Sequence, residues 1–125
     1  MQPKKILVVD DEEHIREIAS VSLELTEKWE VSTASSGAEA LRVAPRLRPD
    51  AILLDVMMPE MDGPTTFGLL QSDPATKEIP VIFLTAKVQA ADRRRFKELG
   101  VRSMIPKPFD PLRLAAEVAA ALQWT

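Results

Sequence analysis

Three short runs set the rhythm of the chain. Ile6-Leu7-Val8-Val9, Ile52-Leu53-Leu54 and Val81-Ile82-Phe83-Leu84 are apolar at consecutive positions. Such runs suit strands buried on both faces, as in a parallel sheet covered by helices. They predict strands over residues 4–9, from 51 to an end at Asp55, and over 79–84, with Pro80 at the entry of the last, where proline is tolerated. Residues 29–34 alternate enough for a shorter strand, with Trp29, Val31 and Thr33 on one side. Ser103-Met104-Ile105 makes a weak fifth.

Between the runs the spacing becomes helical. Ile15, Ile18, Val21 and Leu25 recur to about Thr26. Ser36-Gly37-Ala38-Glu39 reads as a capping box opening a helix through Ala40, Leu41, Val43 and Ala44, which Pro45 should end or kink. Phe67, Leu69 and Leu70 predict a short helix after Gly63-Pro64, stopping around Ser72-Asp73-Pro74. Another covers about 90–99, with Gly100 at its C′ position. The last starts near Pro111 or Leu112 and carries Leu114, Val118, Ala121 and Leu122. Strand and helix alternate five times, which predicts an α/β fold with a parallel sheet and helices on both faces.

Composition narrows this little further. The 125 residues suit one domain spanning 1–125. The net charge of -3 is too small to imply direct nucleic-acid binding or attraction to a membrane. Without cysteine there is no disulfide framework and no thiolate metal site. Only four apolar residues separate Lys5 from Asp10, too few for a signal peptide or membrane span, so a cytoplasmic location is expected.

The chemistry gathers at the strand ends. In open α/β sheets ligands sit outside the carboxyl ends of the strands. Those ends here are Asp10-Asp11, Asp55, Thr85 and Lys107. Glu12 and Glu13 are explained as first-turn helix acids. Taken alone, Thr85 reads as a turn hydroxyl and Lys107 as a solvated loop charge. Their joint placement brings three carboxylates, a hydroxyl and an ammonium to one rim. Two like charges about 4 Å apart repel by roughly 4 kcal/mol at an effective dielectric near 20. Such a set holds a proton or recruits a cation, and all-oxygen ligands favour a hard ion, Mg²⁺ over zinc. A carboxylate beside Mg²⁺ can attack a phosphoryl group to give an aspartyl phosphate, with the metal and the lysine neutralising developing charge.

Four motifs carry a resemblance: Ile6-Leu7-Val8-Val9-Asp10-Asp11, Leu54-Asp55-Val56-Met57-Met58-Pro59 with Asp62-Gly63, Leu84-Thr85-Ala86, and Lys107-Pro108-Phe109. In this order the chain resembles, over nearly its whole length, the receiver domain of two-component response regulators, of the single-domain chemotaxis-regulator type. The resemblance implies a doubly wound, flavodoxin-like sheet in strand order 2-1-3-4-5. It implies that Asp55 accepts a phosphoryl group from a sensor histidine kinase or phosphotransfer protein. Asp11, Asp55 and the Met57 carbonyl would ligate Mg²⁺, Asp10 would act mainly through water, and Thr85 and Lys107 would contact the phosphoryl group. A cis Lys107-Pro108 bond is implied, as is a downstream effector on the face of the fourth helix, fifth strand and fifth helix. Such a domain is a monomer or an activation-dependent dimer, and catalyses only its own phosphorylation and dephosphorylation.

The chain departs from the family at Met104, where an aromatic residue usually turns inward on activation; methionine is flexible enough to repack instead. Met57 and Lys87 lie two positions after Asp55 and Thr85 and are expected to shield the acyl phosphate from water. Arg93-Arg94-Arg95 reads either as a solvated face or as a docking surface for an acidic partner. His14 is not expected to carry phosphate, because phosphotransfer histidines occupy helical bundles. Trp29 and Trp124 read as packing residues. Two rival functions stand beside the switch: an Mg²⁺-dependent aspartyl phosphatase, which would need an acid where Met57 stands, and a phosphorylation-independent interaction module.

Overall fold

The computed structural model describes residues 3–86 and 89–124. Along the chain run β1 (Lys5–Val9), α1 (Glu13–Glu27), β2 (Glu30–Ala34), α2 (Gly37–Leu47), β3 (Ala51–Asp55), α3 (Gly63–Gln71), β4 (Val81–Thr85), α4 (Ala90–Leu99), β5 (Ser103–Pro106) and α5 (Leu114–Leu122). The five strands form one parallel sheet in the order β2-β1-β3-β4-β5. Both the α/β class and the strand order agree with the sequence reading. The order reverses between β1 and β3, which is where a ligand crevice opens in this kind of sheet.

The unbroken apolar runs supply both faces of the sheet. Successive side chains on a strand point to opposite sides. Leu7, Val9, Ile52, Leu54 and Phe83 therefore meet Ala40 and Ala44 of α2, Phe67 and Leu70 of α3, and Phe96 of α4. Ile6, Val8, Leu53, Ile82 and Leu84 meet Ala19 and Leu23 of α1 and Leu114, Val118 and Leu122 of α5. Full burial of such a side chain contributes about 1.5–3 kcal/mol. On the first face Phe83 lies edge-on to Phe67 and Phe96, with ring centroids 6.1 and 4.9 Å away. β3 and β4 are buried at every residue, so the middle of the sheet is fixed and its rim carries the polar groups.

Half of the capping box forms as expected, with Ser36 accepting from the Glu39 N–H at 3.0 Å; Glu39 reaches back one residue further, to the N–H and hydroxyl of Ser35. The two hydrogen bonds from Ser35, the backbone one first, hold the Glu39 carboxyl below its ordinary pKa. Gly100 is left-handed at φ 109° after α4.

Four local expectations are corrected. Pro45 does not end α2, which continues to Leu47 and closes with Arg48 in the left-handed region. With the helix so near its end, little ladder remains to lose, and the Arg48 N–H still bonds to the Ala44 carbonyl at 2.9 Å. In α1 the core face is Ala19, Ser22 and Leu23, while Ile18, Val21 and Leu25 are exposed. In β2 Trp29 precedes the strand, Val31 is half-buried and Thr33 is exposed, because this is an edge strand. Pro111 lies in a turn before α5 rather than at its first position, since Asp110 accepts from the Leu112 and Arg113 N–H groups through its side chain and its carbonyl.

Candidate functional site

The polar rim lies where β1, β3 and β4 end. Asp10 follows the last residue of β1, and its N–H still bonds to the Ala34 carbonyl of β2 at 3.1 Å. The side chain then turns the chain: Asp10 Oδ1 accepts from the Glu12 N–H at 2.9 Å, just before α1 starts. Asp55 is the final residue of β3 and pairs in register with Leu84 of β4, one residue before Thr85. The chain after Asp55 folds back tightly. The Gly63 N–H bonds to the Val56 carbonyl, and a Cβ on Gly63 would stand 2.6 Å from the Asp55 carbonyl oxygen and 2.8 Å from the Val56 Cα. Only glycine fits there. Asp62 beside it caps α3 by accepting from the Thr65 N–H at 2.8 Å. That contact, to backbone first, holds its carboxyl below the ordinary range.

Lys107 arrives from the far side. Its N–H bonds to the Thr85 carbonyl at 2.9 Å, and the Lys107-Pro108 bond is cis, as the resemblance implied. The ammonium reaches Asp10 Oδ2 at 2.7 Å and Asp55 Oδ1 at 3.1 Å, with Glu12 Oε1 at 4.0 Å. Both aspartates are almost wholly buried, at 0% and 3% exposure. Burial, then the neighbouring charge of Asp10, raises the Asp55 pKa from 3.8 to about 6, although Lys107 pulls the other way. For Lys107 burial acts downward, but the hydrogen bonds and charges of Asp10 and Asp55 outweigh it and hold the ammonium above its ordinary pKa.

One oxygen each from Asp10, Asp11 and Asp55 lies within 4.8 Å of the others. Asp10 Oδ2 is buried and faces the Lys107 ammonium at 2.7 Å. Three carboxylates against one ammonium leave negative charge to neutralise. Buried and exposed carboxylate oxygens, with no nitrogen or sulfur donor, match the needs of a hard divalent cation that keeps some of its water. The residues present therefore fit Mg²⁺.

Of the residues singled out in the sequence, Asp10, Asp11, Asp55 and Lys107 come together here. Thr85 is buried at the same rim, where β5 pairs it with Pro106. Met57 donates its N–H to Asp55 Oδ1 at 3.3 Å, and its side chain is 65% exposed beside the site. Met104 is buried in the core opposite Phe83, two register positions below Thr85. Lys87 falls outside the described residues. His14 is exposed and approaches Glu12 at 3.8 Å, while Arg93, Arg94 and Arg95 are exposed on α4.

Two features escaped the sequence reading. The exposed Ile18, Val21 and Leu25 line an apolar groove of about 480 Å³ with Pro111 and Leu112. Arg16, which the sequence did not single out, donates to the Asp10 carbonyl. The i+6 spacing of an arginine after a strand-end aspartate is the only signal that was available for it.

Known proteins share this fold. A profile of the response regulator receiver domain matches residues 6–119. The response regulator PleD of Caulobacter vibrioides is 46% identical over 114 residues, which are 91% of this chain and 25% of that protein. The probable transcriptional regulator ycf27 of Cyanophora paradoxa is 43% identical over 122 residues, 98% of this chain and 49% of its own length. The chain thus spans about half, or less, of the curated relatives it matches. Among solved structures, the chemotaxis protein CheY4 of Vibrio cholerae superposes with a TM-score of 0.88 at 32% identity, covering 95% of this chain and 98% of that one. With its residues 6–119 matched and the fold shared, the chain belongs to the response regulator receiver domain family.

Proposed function

We propose that this receiver domain is switched by phosphorylation of Asp55, with Asp10, Asp11, Asp55 and the Met57 carbonyl holding Mg²⁺. The observation that carries the reading is the buried Asp55 carboxylate, 3.1 Å from Lys107 and grouped with two further carboxylates at the end of a central strand. The ion supplies charge neutralisation for the phosphoryl oxygens. An Asp55 oxygen attacks phosphorus while the bond to the donor's histidine nitrogen breaks. That nitrogen keeps the bonding electron pair. Lys107 offers its ammonium, and Thr85 its hydroxyl, to the transferred group. Both aspartate and lysine are in the required charge state near neutrality, since Asp55 titrates at about 6 and Lys107 is held protonated.

The added group brings roughly 1.5–2 negative charges, enough to bias a two-state surface that a partner reads. The donor is a sensor histidine kinase or phosphotransfer protein. The effector face is α4-β5-α5, where the exposed Arg93, Arg94 and Arg95 favour an acidic partner. No helix among the described residues is long and apolar enough to cross a membrane, and a cytoplasmic site of action fits a kinase-linked switch. Self-phosphorylation and slow self-dephosphorylation are the only reactions assigned. A phosphatase would need an acid at the position of Met57, and a passive interaction module would not need the buried charges.

Intact mass after treatment with a small acyl-phosphate donor tests the reading. One Mg²⁺-dependent phosphoryl adduct on the wild type, absent from Asp55→Asn, is expected. A wild type that neither gains the adduct nor consumes donor would overturn it.

A further inference from the structure

We infer that Arg16 is a positioning residue that fixes the acid pair for the cation by gripping the peptide between Asp10 and Asp11; this rests on the Mg²⁺ reading above. Arg16 Nη1 donates to the Asp10 carbonyl oxygen at 2.8 Å. That carbonyl lies past Val9, the end of β1, and three residues before α1 begins. No backbone N–H among the described residues bonds to it. Its orientation is the orientation of the Asp10-Asp11 peptide plane, which sets where the Cα of Asp11 stands. Asp10 is otherwise tied on both sides, by its own N–H to Ala34 and by its Oδ1 to the Glu12 N–H. Asp11 is exposed and lacks the packing that holds Asp10 and Asp55. A guanidinium on the preceding carbonyl replaces that packing. The device is also local: Arg16 sits on the first turns of α1, whose backbone starts with the Arg16 N–H bonded to the Glu12 carbonyl. One residue thus joins the helix to the strand-end loop through both main chain and side chain.

The sign of the effect separates positioning from charge. Arg16 is a cation close to a cation site. Removing it would by charge alone tighten Mg²⁺ binding, whereas loss of positioning weakens it. Partners that orient metal ligands typically change affinity by about 10–100-fold when lost. Arg16 lines an open surface pocket with Glu13, Glu17 and Thr33, so a methionine of similar length has room.

The experiment is calorimetric Mg²⁺ titration of wild type, R16M, R16K and R16Q, with thermal unfolding in EDTA measured alongside. R16M is expected to bind Mg²⁺ about tenfold more weakly while melting near the wild type, with the Asp11 and Glu12 amide resonances shifted. R16K, which keeps the charge and a donor group without the guanidinium fork, is expected to recover part of the affinity. Should R16M not fold, R16Q against R16K gives the same comparison. Equal or tighter Mg²⁺ binding in the folded variants would overturn the inference and leave the metal site standing. A wild type that binds no Mg²⁺ would remove the metal reading itself, and the inference with it.

Discussion

Replacing Asp55 with asparagine should stabilise the metal-free protein. The side chain is 3% exposed, and its pKa rises from 3.8 to about 6 through burial first and the charge of Asp10 second. A tenfold change in proton affinity is worth about 1.4 kcal/mol, so the ionised carboxylate costs the fold about 3 kcal/mol at neutral pH relative to the unfolded chain. This cost already includes the attraction of Lys107, which lowers the pKa. Between the unfolded and folded pKa values the native state binds more protons than the unfolded one. Stability from this group is therefore full below pH 3.8, falls as pH rises through that window, and is lost above about 6. Asparagine carries no charge but leaves a buried amide to satisfy, so a gain of about 1–3 kcal/mol is expected at pH 7.5. Urea unfolding of wild type and D55N in EDTA, from pH 4 to pH 8, is the assay. The difference between the two curves isolates Asp55 from the other carboxylates, Glu39 and Asp62 among them, whose lowered pKa values act in the opposite sense at acid pH. Mg²⁺ should close the gap by stabilising only the wild type strongly. A pH-independent difference, or a D55N protein no more stable than wild type at pH 7.5, would refute the assignment of a strained charge.

Three further outcomes follow from the same geometry. Gly63→Ala pushes a Cβ into the Asp55 carbonyl and the Val56 Cα, both backbone atoms, and should cost about 2–3 kcal/mol in urea unfolding. Met57→Asn removes a bulky, exposed thioether beside the acceptor and should shorten the lifetime of the phosphorylated protein; decay measured by intact mass at equal rates would sink the shielding role. The methyl resonance of Met104, buried against the β4 side of the core, should move on phosphorylation, and an unchanged signal would exclude Met104 from the switch.

The strands were legible because a strand buried on both faces needs apolar residues at every position, as in Ile52-Leu53-Leu54. Their ends were legible because Asp10 and Asp55 break those runs. The Asp62-Gly63 pair stood out as a break after β3, but only the fold shows that Asp62 caps α3 and that Gly63 is forced by its approach to the Asp55 carbonyl. What hydrophobicity could not give was direction. Ile18, Val21 and Leu25 are spaced like a core face, yet the small Ala19 and Ser22 let α1 settle against the sheet and leave the larger residues outside. Ser22 is buried because its hydroxyl donates to the Pro111 carbonyl, a partner 89 residues away that no local pattern announces. Thr76 is hidden in the same way, donating to the Leu70 carbonyl at 2.7 Å. The grip of Arg16 on Asp10 belongs with them, as a side-chain contact to a main-chain atom.

The two tryptophans add a practical consequence. Trp29 and Trp124 stand edge to face at 5.3 Å, and the Lys4 ammonium lies 4.6 Å above the Trp124 ring. Trp29 immediately precedes Glu30, which pairs with Lys5 at the amino end of β1. The acids lie five strand residues further on, about 16 Å away at 3.3 Å per residue. Intrinsic fluorescence of this protein therefore reads one pole of the molecule, while the site proposed for magnesium and the phosphoryl group lies at the other. Emission should stay nearly flat through an ion titration and change sharply on unfolding, so a single optical signal can follow the stability of each ligated state without interference from the ligand.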